Sequence, residues 1–272
     1  MRIEPSRAAG HLRPRLDTGT AYSARVWNYL LNGKDNFLAD RAAGDRLMQM
    51  FPSITSIARG NRRFLAHAVR YLAGQAGVRQ FIDIGTGLPD STNAHQIAQQ
   101  IAPQSRIVYV DNDPLVLVHA RALLTSVTGG PVDYIEADAR DPETILQDAA
   151  EILDLSQPTA LMMLSVLGEI PDSDHPGSIV ARLLEPLPAG SCLVISDCID
   201  TNPALNQAIA TYNQETASPY KLRSPQQFAA FFDGLAMIPP GVVAPTRWPA
   251  SLTDTTAGPQ EATALCGIGR KD

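Results

Sequence analysis

The pattern of apolar and polar residues along the chain changes near residue 79. Before this point, apolar residues recur at helical spacing across residues 22–72, for example at Val26, Tyr29 and Leu30. After it, short apolar runs of strand length alternate with helical patterns. Because such alternation is typical of a doubly wound parallel sheet, we predict an α/β fold that follows a helical extension.

The same pattern predicts the individual elements. Before the first strand, a helix is predicted that starts near Tyr22 and ends before the polar turn at Asn32, followed by helices at residues 40–50 and 54–72. Strands are predicted at 80–84, 106–110, 132–136, 159–164 and 191–196, separated by helices at 92–101, from Pro114, at 142–153 and at 175–187. Helices at 203–215 and 225–233 precede two weaker strand candidates, 235–243 and 262–268.

These elements divide the chain into three segments. Residues 1–18 are rich in Arg, Pro and Gly, which predicts a flexible N-terminal tail. Residues 19–76 form the helical extension, and residues 77–272 form the main domain. With 272 residues, 44% of them apolar, the chain is large enough to bury one sizeable core.

Composition excludes several classes of function. The net charge of −6 disfavours nucleic acid as a partner, because such proteins usually present a basic face. We interpret the cluster of Arg59, Arg62 and Arg63 as a solvated helix face. The three cysteines lack the spacing of metal ligands, so no metal site is predicted. No apolar run reaches membrane-spanning length, and the N-terminus lacks a hydrophobic signal core, so we expect a cytoplasmic protein without a membrane partner.

A glycine-containing turn follows the first predicted strand. Asp83 ends an apolar run, and Gly85 and Gly87 allow the backbone to turn tightly and approach a ligand closely. A dinucleotide-binding turn would need a third small residue, where this chain has Asp90. The turn therefore indicates a ligand that brings no pyrophosphate to this position.

Carboxylates follow the next two predicted strands, at the edge where a doubly wound sheet binds its ligand. Asp111 lies 24 residues beyond Gly87, a distance at which an acid can accept hydrogen bonds from ribose hydroxyls. Asp113 also suits the N-cap of the following helix. After the third strand, Asp138 can accept a hydrogen bond from an exocyclic amine. Each signal alone is weak, but their order and spacing together indicate a nucleoside site.

At this point the chain resembles the class I S-adenosylmethionine-dependent methyltransferase superfamily. The matching segments are IDIGTG (82–87), VYVDNDP (108–114), EADARDP (136–142) and LMMLSVLGEIPD (161–172). Together with the segment NYLLNGKDNFLADRAAGDR (28–46), they resemble a bacterial S-adenosyl methyltransferase family of unknown substrate. The resemblance implies a Rossmann-like sheet of seven strands, mostly parallel, with an antiparallel C-terminal hairpin.

The resemblance also implies roles for residues that would bind S-adenosylmethionine, which becomes S-adenosylhomocysteine after transfer. Asp83 matches the acid at the methionine end, and the Gly85-Thr86-Gly87 backbone would lie against ribose and methionine. Asp111 matches the ribose-binding acid. The adenine neighbours would be Asn112, Asp138 and Ala139, and the neighbours of the sulfonium would be Leu164 and Ser165. The chain departs from many small-molecule methyltransferases at Gly168-Glu169, where those enzymes carry histidine or an aromatic residue.

The helical extension supplies candidates for a lid over the cofactor that also contacts the methyl acceptor. These candidates are Trp27, Tyr29, Lys34, Asn36 and Phe37. The alternative is that Trp27 and Phe37 are core residues and that the Asn32-Gly33 pair ends a helix. Candidate catalytic bases or orienting groups are Glu169, His95 and Tyr29, although a histidine in that position is more often structural.

The predicted function is the transfer of a methyl group from S-adenosylmethionine to the oxygen or nitrogen of a small-molecule acceptor. One alternative is a non-catalytic protein that binds S-adenosylmethionine for regulation. Another is an NAD-dependent oxidoreductase, which Asp90 and the absence of a Tyr-x-x-x-Lys pair disfavour. The sequence does not identify the acceptor. It is compatible with a homodimer but does not determine the oligomeric state.

Overall fold

A computed structural model describes residues 16–89, 93–124, 129–248 and 262–272, with side chains omitted at 120–124. Asp90 and nearly all of the predicted tail lie outside these residues. The helices are α1 (Ser23–Leu30), α2 (Leu38–Met50), α3 (Ile54–Gly74), α4 (Ala94–Ile101), α5 (Pro114–Leu124), α6 (Pro142–Ala149), α7 (Pro176–Leu184), α8 (Pro203–Tyr212) and α9 (Pro225–Ala229). The strands are β1 (Gln80–Ile84), β2 (Arg106–Asp111), β3 (Val132–Glu136), β4 (Thr159–Leu164), β5 (Cys192–Cys198), β6 (Ala236–Met237) and β7 (Ala264–Arg270).

The strands form one seven-stranded sheet in the order β3-β2-β1-β4-β5-β7-β6. The first five strands are parallel, whereas β7 runs antiparallel to β5, and β6 runs antiparallel to β7. Ile84 at the end of β1 pairs with Val110 of β2 and with Met163 of β4, so the carboxyl ends of these strands meet at one edge. This sheet confirms the predicted fold class.

Helices cover both faces of the sheet, which is why its central strands are continuous apolar runs. In β4, Met162 packs in a cluster with residues of α3 and α4, while Leu161 and Met163 face the cluster that contains residues of α6 and α7. The cysteines Cys192, Cys198 and Cys266 are buried in the strands with free thiols.

The prediction of a strand at 235–243 is wrong, because the observed strand is much shorter. Only Ala236–Met237 forms a strand, and the chain rejoins β7 through an isolated bridge between Val243 and Cys266. Pro239 and Pro240 lie between these points, and because proline has no backbone N–H it cannot complete a strand ladder. Among the described helices, none has both the length and the apolar character required to cross a membrane.

The N-terminal helices form a third apolar cluster, while the remainder of α3 packs on one face of the sheet. Apolar residues of α1, α2 and the first turns of α3 form this cluster with residues of α8, which include Tyr212, and with Tyr220. Asp40, which is fully buried at the start of α2, accepts hydrogen bonds from the backbone N–H groups of Tyr22 (3.0 Å) and Phe37 (2.8 Å). These bonds fix the beginnings of α1 and α2 relative to each other.

Candidate functional site

A cavity of about 650 Å³ lies at the carboxyl edge of the sheet. Its floor consists of the turns after β1, β2, β3 and β4, and α3 forms one side wall. The other wall consists of α1 and residues 213–221, which together we call the cover. Ala21 and Thr216 form a bridge, and Ala217 N–H donates to the Ala21 carbonyl at 2.9 Å, so the two parts of the cover are joined. The volume is in the range of small-molecule sites.

The structure brings the predicted cofactor residues together around this cavity. The lining includes Asp83, Gly85, Thr86, Gly87, Asp111, Asn112, Asp138, Ala139, Leu164 and Ser165. Glu169 and Trp27, from the predicted catalytic and lid residues, also line it.

Two glycines shape the turn after β1. Gly85 and Gly87 both have φ of +66°, in the left-handed region that favours glycine. A Cβ atom on Gly85 would collide with the side chain of Val166, whereas a Cβ atom on Gly87 would meet no atom within 4 Å. Gly85 is therefore required by packing as well as by conformation, and Gly87 leaves open space for a ligand beside the backbone.

Asp111 is held by backbone hydrogen bonds at the end of β2. Its Oδ2 accepts from Gly87 N–H and its Oδ1 from Asp113 N–H, both at 2.9 Å. Burial raises the pKa of Asp111 to about 6, although these backbone hydrogen bonds lower it. Because each carboxylate oxygen can accept more than one hydrogen bond, Asp111 can still accept from two hydroxyl groups of a ribose.

Asp83 is a second buried acid on the cavity floor. Burial raises its pKa to about 7, and the like charge of Asp111 adds to the shift, while the positive charge of Arg62 opposes it. Arg62 donates from Nη2 to the Leu88 carbonyl at 3.2 Å and lines the cavity. The interpretation of Arg62 as part of a solvated face is therefore wrong, because one face of α3 turns it toward the cavity while Arg63 is exposed.

Asp138 lies in the turn after β3. It accepts from Arg140 Nε at 2.8 Å and from Nη2 at 2.7 Å, and Asn112 Nδ2 lies 3.4 Å from its Oδ2. The hydrogen bonds from Arg140 lower the pKa of Asp138. This acid is therefore ionised and fixed in position at neutral pH.

Ser165, directly after β4, has φ of +62°, which is unusual for a residue with a side chain. Its N–H donates to the Ser196 carbonyl at 2.7 Å, and its Oγ accepts from Asn61 Nδ2 at 3.1 Å. Ser196 Oγ in turn donates to Asn61 Oδ1. Asn61 of α3 thus holds the turn after β4, a role that the sequence analysis missed.

Glu169 lies in a short 3₁₀ turn, Leu167–Glu169, with its side chain half-buried against the cavity. Burial raises the pKa of Glu169 to about 8, a hydrogen bond from Ser23 lowers it, and the nearby charges of Asp111 and Asp197 raise it. A carboxyl group with such a pKa exchanges a proton readily near neutral pH.

Gly168 explains why no histidine or aromatic residue occurs at that point of the chain. A Cβ atom on Gly168 would collide with the ring of Tyr220, which occupies that space. The Tyr220 hydroxyl donates to Asp197, whose other oxygen accepts from Gly168 N–H at 2.9 Å. Sequence reasoning missed Tyr220, since nothing local in residues 213–221 indicates this distant contact.

Two predicted catalytic residues do not reach the described cavity lining. The His95 ring points at the sheet, where its Nδ1 lies 2.9 Å from the hydroxyl of Tyr109. Tyr29 packs on α2, because a Cβ atom on Gly44 would lie 2.6 Å from its ring, and its hydroxyl donates to Asp45 at 2.6 Å. Neither side chain is placed to act on a ligand in this cavity.

Three predicted lid residues also lie away from the described lining. Lys34 is exposed. Asn36 is buried and donates to Asn28 Oδ1 at 2.8 Å, inside the loop between α1 and α2. Phe37 has its ring centroid 5.5 Å from the guanidinium carbon of Arg25. The loop after α1 is therefore organised by its own contacts.

A buried ion pair attaches α1 to the turn between β2 and α5. Arg25 is 1% exposed and binds Asp113 in bidentate fashion, from Nε at 3.1 Å and from Nη2 at 3.0 Å. Asp113 also caps α5, as predicted, by accepting from Leu115 N–H at 2.8 Å. Since Asp113 N–H donates to Asp111, a continuous chain of hydrogen bonds runs from α1 to the floor of the cavity.

The arrangement fits an adenosine derivative that carries a positive charge. The open space beside Gly87 admits a ligand, and Asp111 can accept hydrogen bonds from ribose. Asp83 and Glu169 supply negative charge nearby. These donor and acceptor groups suit the ribose and sulfonium of S-adenosylmethionine.

Solved structures of other proteins are similar to this chain. A DUF574-family protein from Streptomyces avermitilis MA-4680 is 40% identical, with a TM-score of 0.86, covering 95% of this chain and 100% of that one. A candidate methyltransferase from Thermobifida fusca YX is 37% identical, with a TM-score of 0.88, covering 95% and 98%. An O-methyltransferase family 2 protein from Planctomyces limnophilus DSM 3776, solved with apigenin, shares the fold at 17% identity, with a TM-score of 0.50 and coverage of 91% and 65%.

No curated protein sequence matches the chain significantly. The model of one family, described as S-adenosyl methyltransferase, matches residues 9–272, which is nearly the whole chain. The chain therefore belongs to the S-adenosyl methyltransferase family and is a methyltransferase that uses S-adenosylmethionine.

Proposed function

We propose that the enzyme transfers the methyl group to the oxygen or nitrogen of a small molecule that binds in the same cavity. The observation that carries this proposal is the composition of the cavity walls. Beyond the floor residues, the cover contributes Trp27, Ser218 and Tyr220 to the lining. These side chains provide a second surface, on the wall formed by the cover, on which an acceptor can be bound.

We assign the floor of the cavity to the cofactor. Asp111 would accept hydrogen bonds from the ribose, and the backbone of Gly85-Thr86-Gly87 would lie beside ribose and methionine. Asp138, held by Arg140, and the neighbouring Ala139 would contact the adenine edge. Asp83 would face the methionine end, and Leu164 and Ser165 would lie beside the sulfonium. Their shared position in the cavity lining supports these assignments.

When bound, S-adenosylmethionine supplies a methyl group that is already activated by the positive sulfur. The protein therefore needs to position the acceptor in line, exclude water and, where necessary, accept a proton. The cover forms one wall of the cavity and would limit the access of water to it, and the hydrogen bonds of Asn61 hold the turn that carries Ser165. Glu169 is the ionisable group best placed to accept a proton, because it lines the cavity and has a pKa close to neutrality.

Replacement of Asp111 tests the assignment of the floor. Asp111→Asn should weaken S-adenosylhomocysteine binding by about 1–3 kcal/mol, because it loses charge-assisted hydrogen bonds to ribose. Isothermal calorimetry measures the affinity, and Asp233→Asn, an exposed acid outside the described lining, is the matched control. Equal affinities for the two variants would show that ribose binds elsewhere.

The acceptor class is tested with S-adenosylmethionine labelled in its methyl group. The enzyme is incubated with a bacterial extract separated into nucleic acid, protein and low-mass fractions. We expect label in the low-mass fraction. Label confined to protein or nucleic acid would refute a small-molecule acceptor.

A further inference from the structure

Glu169 lies in a part of the cavity where both parts of the cover contribute to the lining. Ser23 of α1 bonds its carboxyl group, and Trp27, four residues later, lies on the same face of the helix. On the other side, the ring of Tyr220 lies against the adjacent Gly168. Glu169 therefore shares the cavity lining with Ser23 and Trp27 of one part of the cover and with Tyr220 of the other.

The described cations of the cavity lining are engaged elsewhere. Arg62 binds the Leu88 carbonyl and lies near Asp83. Arg140 binds Asp138 and Asp174, with Nη distances of 2.7 and 3.4 Å.

The third lining cation, Lys221, is 54% exposed at its side chain, and its Nζ lies 4.0 Å from Asp172. The charged groups that act on Glu169 are Asp111 and Asp197, of the same sign, and Arg140, of the opposite sign. Arg223, whose charge acts on Asp197, is buried and binds the carbonyls of Leu167 and Ile170. Once ionised, the Glu169 carboxylate at the cavity wall attracts a cationic guest and repels a carboxylate or phosphate ester.

We propose that the methyl acceptor is a primary or secondary amine, which enters as an ammonium ion and is bound by Glu169 beside Trp27. This inference rests on the proposed function and narrows it to N-methylation. A carboxylate attracts the ammonium group directly, and the face of an indole ring attracts it as well. A neutral alcohol of the same shape gains neither interaction.

The same carboxylate completes the proton balance of the reaction. An ammonium ion has no lone pair, so one proton must first move from its nitrogen to the Glu169 carboxylate. The nitrogen lone pair then forms the bond to the methyl carbon, while the carbon–sulfur bond breaks and its electron pair stays on sulfur. The methylated product leaves as an ammonium ion, and Glu169 releases its proton to solvent.

Binding measurements with matched probes test this inference without relying on turnover. The protein is saturated with S-adenosylhomocysteine and titrated calorimetrically with 2-phenylethylamine, 2-phenylethanol, butylamine, 1-butanol, phenol and benzoate. Each amine should bind about 10- to 100-fold more tightly than its matched alcohol, because it makes a charge-assisted hydrogen bond in a partly desolvated site. Glu169→Gln should abolish this preference, Glu169→Asp should retain most of it, and the exposed control Glu151→Gln should leave it unchanged.

Amines that bind no better than their alcohols, tighter binding of phenol or benzoate, or a preference that persists in Glu169→Gln would each overturn the inference. S-adenosylhomocysteine binding by every variant verifies that the site is folded. If the wild-type protein binds S-adenosylhomocysteine without any preference for amines, only the amine inference fails. If it does not bind S-adenosylhomocysteine, the cofactor assignment and the proposed function fail as well.

Discussion

The hydroxyl of Tyr220 illustrates how much a single buried group can determine. It donates to Asp197 and accepts from Cys198 N–H at 3.2 Å, while burial raises the pKa of Asp197 to about 7. The ring meanwhile fills the space beside Gly168. One side chain therefore satisfies a buried acid and shapes the cavity wall.

Tyr220→Phe should lower the free energy of unfolding by about 1–3 kcal/mol, because it leaves a buried carboxyl group and a backbone N–H short of a partner. Urea denaturation measures the loss. Tyr29→Phe is the matched control, since its hydroxyl binds an exposed acid, and it should cost less than about 0.5 kcal/mol. Similar losses in both variants would contradict the role given to Tyr220.

Individual residues were predictable where their function is local to a turn. The acids and glycines after the strands could be predicted because a parallel sheet brings these turns to one edge. Asn61 and Tyr220 could not, since their roles depend on contacts with distant parts of the chain. His95 and Tyr29 occur at suitable sequence positions, but their side chains point at the sheet and at α2.

At the scale of elements, the ion pair between Arg25 and Asp113 joins α1 to the start of α5. Removal of one partner from a buried pair leaves an uncompensated charge. Arg25→Met should therefore reduce the free energy of unfolding by about 3–5 kcal/mol, as measured by urea denaturation. It should also weaken S-adenosylhomocysteine binding, because Asp113 N–H helps to hold Asp111.

The control for this variant is Arg46→Met. Arg46 pairs with Glu215 on the surface, where their side chains are 45% and 38% exposed, so its loss should cost less than about 1 kcal/mol. A loss at Arg25 as small as that at Arg46 would contradict the proposed attachment of α1.

Elements were predicted well where a long pattern defines them. Strands β1, β2, β4 and β5 are largely apolar runs between turn residues, β3 mixes apolar and polar residues, and α3 has a sustained helical period, so their positions could be predicted closely. The short β6 could not, because its two residues pair only with β7 and carry little pattern of their own. How α1 and residues 213–221 meet depends on the tertiary structure, which no local pattern indicates.

For the whole molecule, the important charges are those that converge on the cavity rather than the net charge of −6. Asp83, Asp111 and Glu169 come from three separate segments and have pKa values raised to about 7, about 6 and about 8. All three shifts have burial as their main cause, so a bound positive charge would favour the ionised forms.

This cluster predicts a pH dependence that distinguishes substrate from product. As pH rises from 6 to 8, these groups ionise and attract the positive sulfonium, so S-adenosylmethionine affinity should increase about 3- to 10-fold. S-adenosylhomocysteine, whose sulfur is neutral, should show a smaller increase. Calorimetric titrations of both ligands across this range provide the measurement, and parallel pH profiles would contradict the prediction.

The loop from Asn28 to Asn36 and the packing of Tyr29 on Gly44 have a consequence for protein engineering. Tyr29 packs on Gly44 and Asn36 binds Asn28, and Tyr29, Asn36 and Gly44 lie outside the described lining, so these three residues serve as a scaffold. Leu31, Gly33 and Asp35, by contrast, line the cavity. A library designed to change acceptor preference should therefore vary lining residues such as Ser23, Trp27 and Asp35, and keep Tyr29, Asn36 and Gly44 constant. Diversity at those scaffold positions would yield misfolded variants more often than new specificities.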